Sequence, residues 1–326
     1  MKKAFIIIVA IIILAIVSWQ IASSWIPRFP TYEQQKQYTK GLTKKADEFE
    51  QVAASMPAKW AMYFVKDIFY IPAIKKALNA NLYMLKKYPQ RGLTDVDILG
   101  DLGYEYRALE KYNKAIEMHQ RQLEVFKNKY LNKEYPEKEG LTQLQAKTEE
   151  YKYVASVHRK IAACYNAIKQ YDKGLREYER VLELLPETKN LDKFERDRIF
   201  RDTFVTIGKM HKVIFKNYQR AIEIYKRMKE EFPSAIATSE ADIFIGDTYL
   251  AMGDVKKAKE EYQNVIDTYK PAELGLFNFA ENRLRDLREG NPIVATDDVY
   301  YEIKDNKVIT RLVASKKIMS VSDIIK

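Results

Sequence analysis

The chain is poor in the residues that build reaction chemistry. Cys164 is its one cysteine, so an intramolecular disulfide and a multi-cysteine metal site are both excluded. Cys164 stands in the apolar stretch IAACYNAI and reads as a small core residue. Histidine occurs three times, as His119, His158 and His211, too far apart for a His-Glu metal motif, and each reads as a packing or surface residue. No glycine-rich loop is spaced to cradle a phosphate. Carboxylates are plentiful, but they alternate with Lys and Arg on helical faces, as in KKAKEEY, which marks solvated surfaces rather than paired acids. The expectation is a protein that is not an enzyme, with no catalytic residues, no cofactor and no metal. The net charge of +10 is spread along the body and accompanies no nucleic-acid motif, so a basic solvated surface explains it better than nucleic-acid binding.

Glycine and proline are scarce too, at 11 and 10 residues, while Lys, Glu, Ala, Leu, Ile and Tyr dominate. That composition is helical.

One long hydrophobic run stands out. Residues 4–26, AFIIIVAIIILAIVSWQIASSWI, hold no charge and follow Lys2 and Lys3. As a helix the run spans about 34 Å, enough for a hydrocarbon core of about 30 Å. Two readings compete. The core Ala4–Val17 has the length of a secretory signal, and Ala22-Ser23-Ser24 resembles a cleavage site. Trp19 and Trp25 at the exit, and the uncharged run past Val17, favour a retained anchor over residues 1–27. No cysteine lies near enough for a lipid anchor. Arg28, Lys36, Lys40, Lys44 and Lys45 follow the run and weigh against export, yet the short basic start favours a body outside the cytoplasm, in a periplasm.

The body repeats itself. LGYEYRALEKYNKAIEMHQRQLEVF (102–126), IAACYNAIKQYDKGLREYERVLELLP (161–186), IGKMHKVIFKNYQRAIEIYKRMKEEFP (207–233) and IGDTYLAMGDVKKAKEEYQNVIDTYKP (245–271) share one plan. A small residue (Gly103, Ala162, Gly208, Gly246) precedes a short turn. A second small residue follows (Ala115, Gly174, Ala221, Ala258), and four residues later comes His119, Tyr178, Tyr225 or Tyr262. This spacing predicts helical hairpins whose small residues permit close approach, with the aromatic one turn along wedging against the next hairpin. Pro186, Pro233 and Pro271 are placed to end second helices.

These residues resemble the tetratricopeptide repeat, a helix-turn-helix of 34 residues. Residues 239–271 match best, through Ile245-Gly246, Tyr249, Gly253, Ala258, Tyr262 and Pro271. Residues 155–186 follow, then 96–127; 202–233 carries one extra residue before Tyr218, and 58–89 is a degenerate copy marked by Ala77 and Pro89. The resemblance implies an all-α solenoid over 58–290, closed by a capping helix at 272–289. It also implies a concave face that binds another protein. By the family's pattern the facing positions are Tyr104, Arg107, Arg159, Asn166, Lys209, Lys212, Asp247 and Leu250. The family's clamp for C-terminal carboxylates is not reproduced, since Ala163 stands where its Asn would be.

The flanks add three expectations. Residues 28–57 read as a polar juxtamembrane helix, started by a Thr31/Gln34 capping box, whose Lys36, Lys40 and Lys44 stripe faces either solvent or anionic head groups. The apolar stretch 58–71, AKWAMYFVKDIFYI, is either the first helix of the degenerate repeat or a contact with a membrane or integral partner. The tail 291–326 changes to period two: 299–312 predicts a β-hairpin turning at Asp305-Asn306, with Val299, Tyr301, Ile303, Val308, Thr310 and Leu312 on one face. The functional expectation is a membrane-anchored scaffold for protein–protein interaction. Its alternative is a constitutive accessory subunit of an integral membrane complex, such as a translocase, respiratory or envelope-assembly machine, bound through the anchor and the 58–71 helix.

Overall fold

A computed structural model describes residues 31–55, 65–131, 143–268, 275–291, 293–294, 299–304 and 307–312. The chain divides into two compact units between Glu139 and Gly140.

In the first unit, α1 spans Tyr32–Ser55. Thr31 starts it: Gln34 N donates to Thr31 Oγ1 at 3.3 Å, and that hydroxyl donates to Gln34 Oε1 at 3.1 Å. A π-helical turn, Lys66–Tyr70, runs directly into α2, Ile71–Lys87. Pro72 has no N–H for the preceding turn, which fits the widened turn there. One further turn, Pro89–Gly92, leads to α3, Val96–Ala108, and then α4, Tyr112–Leu131. Asp95 caps α3 by accepting from Asp97 N and Ile98 N at 3.0 and 3.3 Å.

The structure corrects the first repeat. Residues 66–87 form one rod, so 66–71 do not turn back on 72–87 as a separate first helix. The rod packs on α1, which takes the first-helix role. Ala46 and Phe49 of α1 meet Tyr70, Ala73 and Ile74, and the Phe49 and Phe69 rings stack with centroids 5.6 Å apart. The 28–57 segment therefore belongs, over Tyr32–Ser55, to the helical array. Lys36 and Lys40 face neither solvent alone nor head groups: they pair with Asp95 and Asp97 of α3.

The second unit holds α5 (Gln143–Ala167), α6 (Tyr171–Leu182), α7 (Lys193–Lys209), α8 (Tyr218–Glu231), α9 (Ala235–Met252), α10 (Val255–Thr268) and α11 (Gly275–Glu289). They pair as α5/α6, α7/α8 and α9/α10. Each later first helix also packs on the preceding second helix: α7 on α6, α9 on α8, α11 on α10. Asp192, Asn217 and Ser234 cap α7, α8 and α9 through their side-chain oxygens.

The seams explain the small residues. A Cβ on Gly208 would lie 2.4 Å from the Tyr225 ring, and one on Gly246 would lie 2.5 Å from the Tyr262 ring. Each aromatic therefore seats on the glycine of its own pair. Tyr225 also reaches the next pair, stacking on Phe244 at 5.2 Å.

The extra residue of the 202–233 repeat has a location. Met210–Ile214 is a π-helical turn, closed by Phe215 N donating to Met210 O at 3.1 Å, five residues back. A wider turn absorbs one residue without turning the helix that follows.

Beyond α11, three strands form one antiparallel sheet in the order β1 (Ile293–Val294), β2 (Val299–Lys304), β3 (Lys307–Leu312). Val299 opposes Leu312 and Lys304 opposes Lys307. The turn at 305–306 and the side-chain faces of β2 and β3 lie outside the described residues. No helix among the described residues is long and apolar enough to cross a membrane. The expected anchor, 1–27, also lies outside them, as do Pro136, Gly140 and Pro271.

Candidate protein-interaction surface

In the first unit the family's pattern selects Tyr104 and Arg107 on α3. Tyr104 is half-buried; its hydroxyl donates to Glu50 Oε2 at 2.9 Å and lies 3.2 Å from the Tyr70 hydroxyl. Burial pushes its pKa up, and its hydrogen bond with Tyr70 adds to the shift. Arg107 is exposed and lays its guanidinium over the Tyr104 ring at 5.6 Å.

In the second unit, three selected residues lie partly exposed along successive first helices. Arg159 Nη1 donates to Ile199 O of α7 at 3.3 Å. Asn166 Nδ2 donates to Met210 Sδ at 3.8 Å. The Lys209 ammonium sits 5.2 Å from the Phe244 ring centre on α9. Each reaches the next first helix or the turn that ends it, so each ties adjacent repeats together while leaving part of itself at the surface.

The other three selections need correction. Lys212 is 1% exposed, and Asp247 and Leu250 are 0% exposed. Lys212 lies in the π-helical turn, where the added residue breaks the regular register. Asp247 follows Gly246 into the interior, accepting from Tyr262 Oη at 2.6 Å and from Arg283 Nε of α11 at 3.2 Å. Leu250 clusters with Leu287 and with Ile293 of β1, and β3 lies against α9. The C-terminal elements thus cover a helix that the family's pattern treats as open.

Sequence reasoning passed over two features of the same unit. Arg201 of α7 lies between two carboxylates, 3.5 Å from Asp197 Oδ1 and 3.9 Å from Glu240 Oε2 of α9. Burial raises the pKa of both acids, against the pull of Arg201. Phe194 and Ile236 are 72% and 51% exposed, each the second residue of its helix after the caps Asp192 and Ser234. An apolar residue two places after a capping Asp or Ser was the available signal. Among the described residues no group of His, Cys, Asp or Glu could hold a metal ion.

Comparison with known proteins bears on this geometry. The family model described as tetratricopeptide repeat matches residues 245–270, the stretch from the Gly246 seam through α10. The chain is similar to three solved structures. One is the MamA protein (14% identity, 70% of this chain and 90% of that one, TM-score 0.41). The second is the quorum sensor NprR from B. thuringiensis (15%, 79% and 67%, 0.41). The third is yeast Tom70 (16%, 77% and 60%, 0.31). No curated protein matches the sequence. Paired helices seated glycine-on-aromatic, together with the matched stretch, define a tetratricopeptide-like helical-repeat scaffold.

Proposed function

We propose that this protein is a membrane-anchored scaffold that binds another protein, with its helical body on the extracytoplasmic side. The observation that carries the binding role is the row Arg159, Asn166 and Lys209, partly exposed along consecutive first helices, in a fold of repeat-scaffold type. Tyr104 and Arg107 form the corresponding surface of the first unit. Anchoring is supported by the uncharged run 4–26 with Trp19 and Trp25, and the periplasmic side by Lys2 and Lys3 ahead of that run.

Crosslinking in intact cells followed by mass spectrometry identifies the partner. Replacing Arg107, Arg159 and Lys209 with Ala is expected to weaken its capture without unfolding the chain; unchanged capture overturns the assigned surface. Protease added to spheroplasts is expected to digest the body, and a protected body reverses the orientation. A stoichiometric complex that survives detergent and ignores the triple replacement favours the constitutive-subunit reading.

A further inference from the structure

The face of α3 turned toward α1 carries a row of acids: Asp97, Asp101 and Glu105, spaced four residues apart, with Asp95 at the cap. Like charges at that spacing repel on a helix. From α1, Lys36 and Lys40 meet the upper end of the row: Lys36 reaches Asp95 at 2.6 Å and Asp97 at 3.2 Å, and Lys40 reaches Asp97 at 2.8 Å. The lower end receives neutral groups. Asn81 Nδ2 of α2 donates to Glu105 Oε1 at 2.7 Å, and Thr43 Oγ1 of α1 lies 3.5 Å from the same oxygen. Glu105 is fully buried, and its Oε2 and the Asp101 Oδ2 are buried with no hydrogen-bond partner among the described residues. Asp47, the next charge on α1 to act on Asp101, is another acid.

The α1 seat is itself partly polar. Beside the buried Tyr32 and Ala46 and the Phe49 contact, Gln35 and Thr39 are also buried, so part of the seat is hydrogen-bonding rather than apolar. We propose that α1 is an acid-tightened latch: it clamps the first helical pair while Asp101 and Glu105 hold protons, and it loosens as they ionise. On the anchored reading above, α1 follows the uncharged run 4–26 closely in sequence. The latch then sets whether the body is held firmly at its anchor or swings on a longer tether.

The direction follows from the groups present. Burial, then the charge of Asp97, lifts Asp101 to about 6; burial, then the charge of Asp101, lifts Glu105 well above the usual carboxylate range. A raised acid favours the docked state at low pH and withdraws that support as pH climbs through its docked value. Burial also opposes ionisation of Asp95 and Asp97, but hydrogen bonds from Lys36 and Tyr32 to Asp95, and from Lys40 to Asp97, hold both below the ordinary range. Their ion pairs therefore persist through the window in which Asp101 titrates. Asp101 alone is expected to weaken docking about tenfold between pH 5 and 7.

Amide hydrogen exchange of the full chain in nanodiscs tests this, after correction for the intrinsic pH dependence of exchange, with α9 as an internal reference. Protection of α1 is expected to fall about tenfold relative to α9 over that range. D101N and E105Q, singly and together, should flatten the fall, because Asn and Gln keep the shape and the Asn81 contact without a proton to lose. Lys36→Gln should weaken α1 at every pH, which checks that the seat itself is read correctly. An α1 protection that ignores pH, or a slope unchanged in the double variant, overturns the latch. A cleaved anchor or a lost partner removes the tether or the scaffold role and leaves this exchange pattern intact, so the two ideas fail separately.

Discussion

The two units build paired helices from opposite chemistry. In the first, α1 meets α3 through Lys36 and Lys40 on Asp95 and Asp97, with Gln35 and Thr39 buried beside the Ala46 and Phe49 contact with α2. In the second, α7 to α10 close on glycine and tyrosine, and a buried charge cluster near its end, Tyr262–Asp247–Arg283, pairs its ions. A seam of rings and small residues depends on volume and tolerates little change of shape. A polar seam depends on protons and partners and responds to solution conditions. The ring-and-glycine seams of α7 to α10 and the partly polar seam of α1 are thus separate stretches of chain.

The largest break in this contrast is expected at Tyr225→Ala. Emptying the seat on Gly208 and the stack on Phe244 should cost about 3–5 kcal/mol, read by urea denaturation. A loss below about 1 kcal/mol would show that the ring does not close the seam. Gly208→Ala attacks the same seat from the other side by overfilling it; since the ring sits on a helix and cannot withdraw freely, about 1–3 kcal/mol is expected. In the polar seam the sign reverses. Glu105→Gln should stabilise the first unit, by more at pH 8 than at pH 5, because the native acid is progressively forced to ionise in a buried site. A destabilised variant at pH 8 would mean that Glu105 has a cation not seen among the described residues. Smallest of all is Lys40→Ala. Its pair with Asp97 is about half exposed on both sides, so a change of at most about 1 kcal/mol, shrinking further in high salt, is expected in the same denaturation series.

The repeat plan was legible because packing repeats itself in local spacing. Gly208 to Tyr225 and Gly246 to Tyr262 are short-range pairs, and their residue types are dictated by the close approach they make. The ends of first helices were less legible. Gly253 holds the left-handed turn residue openly, but Glu110, Lys169 and Lys216 take the same conformation at φ of 60, 60 and 55° without glycine to announce it. The first pair was misplaced because α1 looks like a solvated stalk: between its two aromatic contacts, Tyr32 and Phe49, the buried residues are Gln35, Thr39 and Ala46, which hydrophobic patterning passes over. Of the surface positions, Tyr104, Arg107, Arg159, Asn166 and Lys209 kept some exposure. Lys212, Asp247 and Leu250 did not, because a widened turn, a buried ion pair and the C-terminal elements are long-range facts that a repeat register does not encode.

The π-helical turn at Met210–Ile214 has a consequence for how the chain can change length. A codon lost inside that turn alters only its width, passing from five-residue to four-residue closure, and Tyr225 still arrives opposite Gly208. A codon lost within α8, between the Asn217 cap and Tyr225, rotates the ring by about 100° off its seat. A single deletion is therefore survivable at one address and ruinous a few residues on, and a deletion scan across 208–225 should show a narrow tolerant island at the turn.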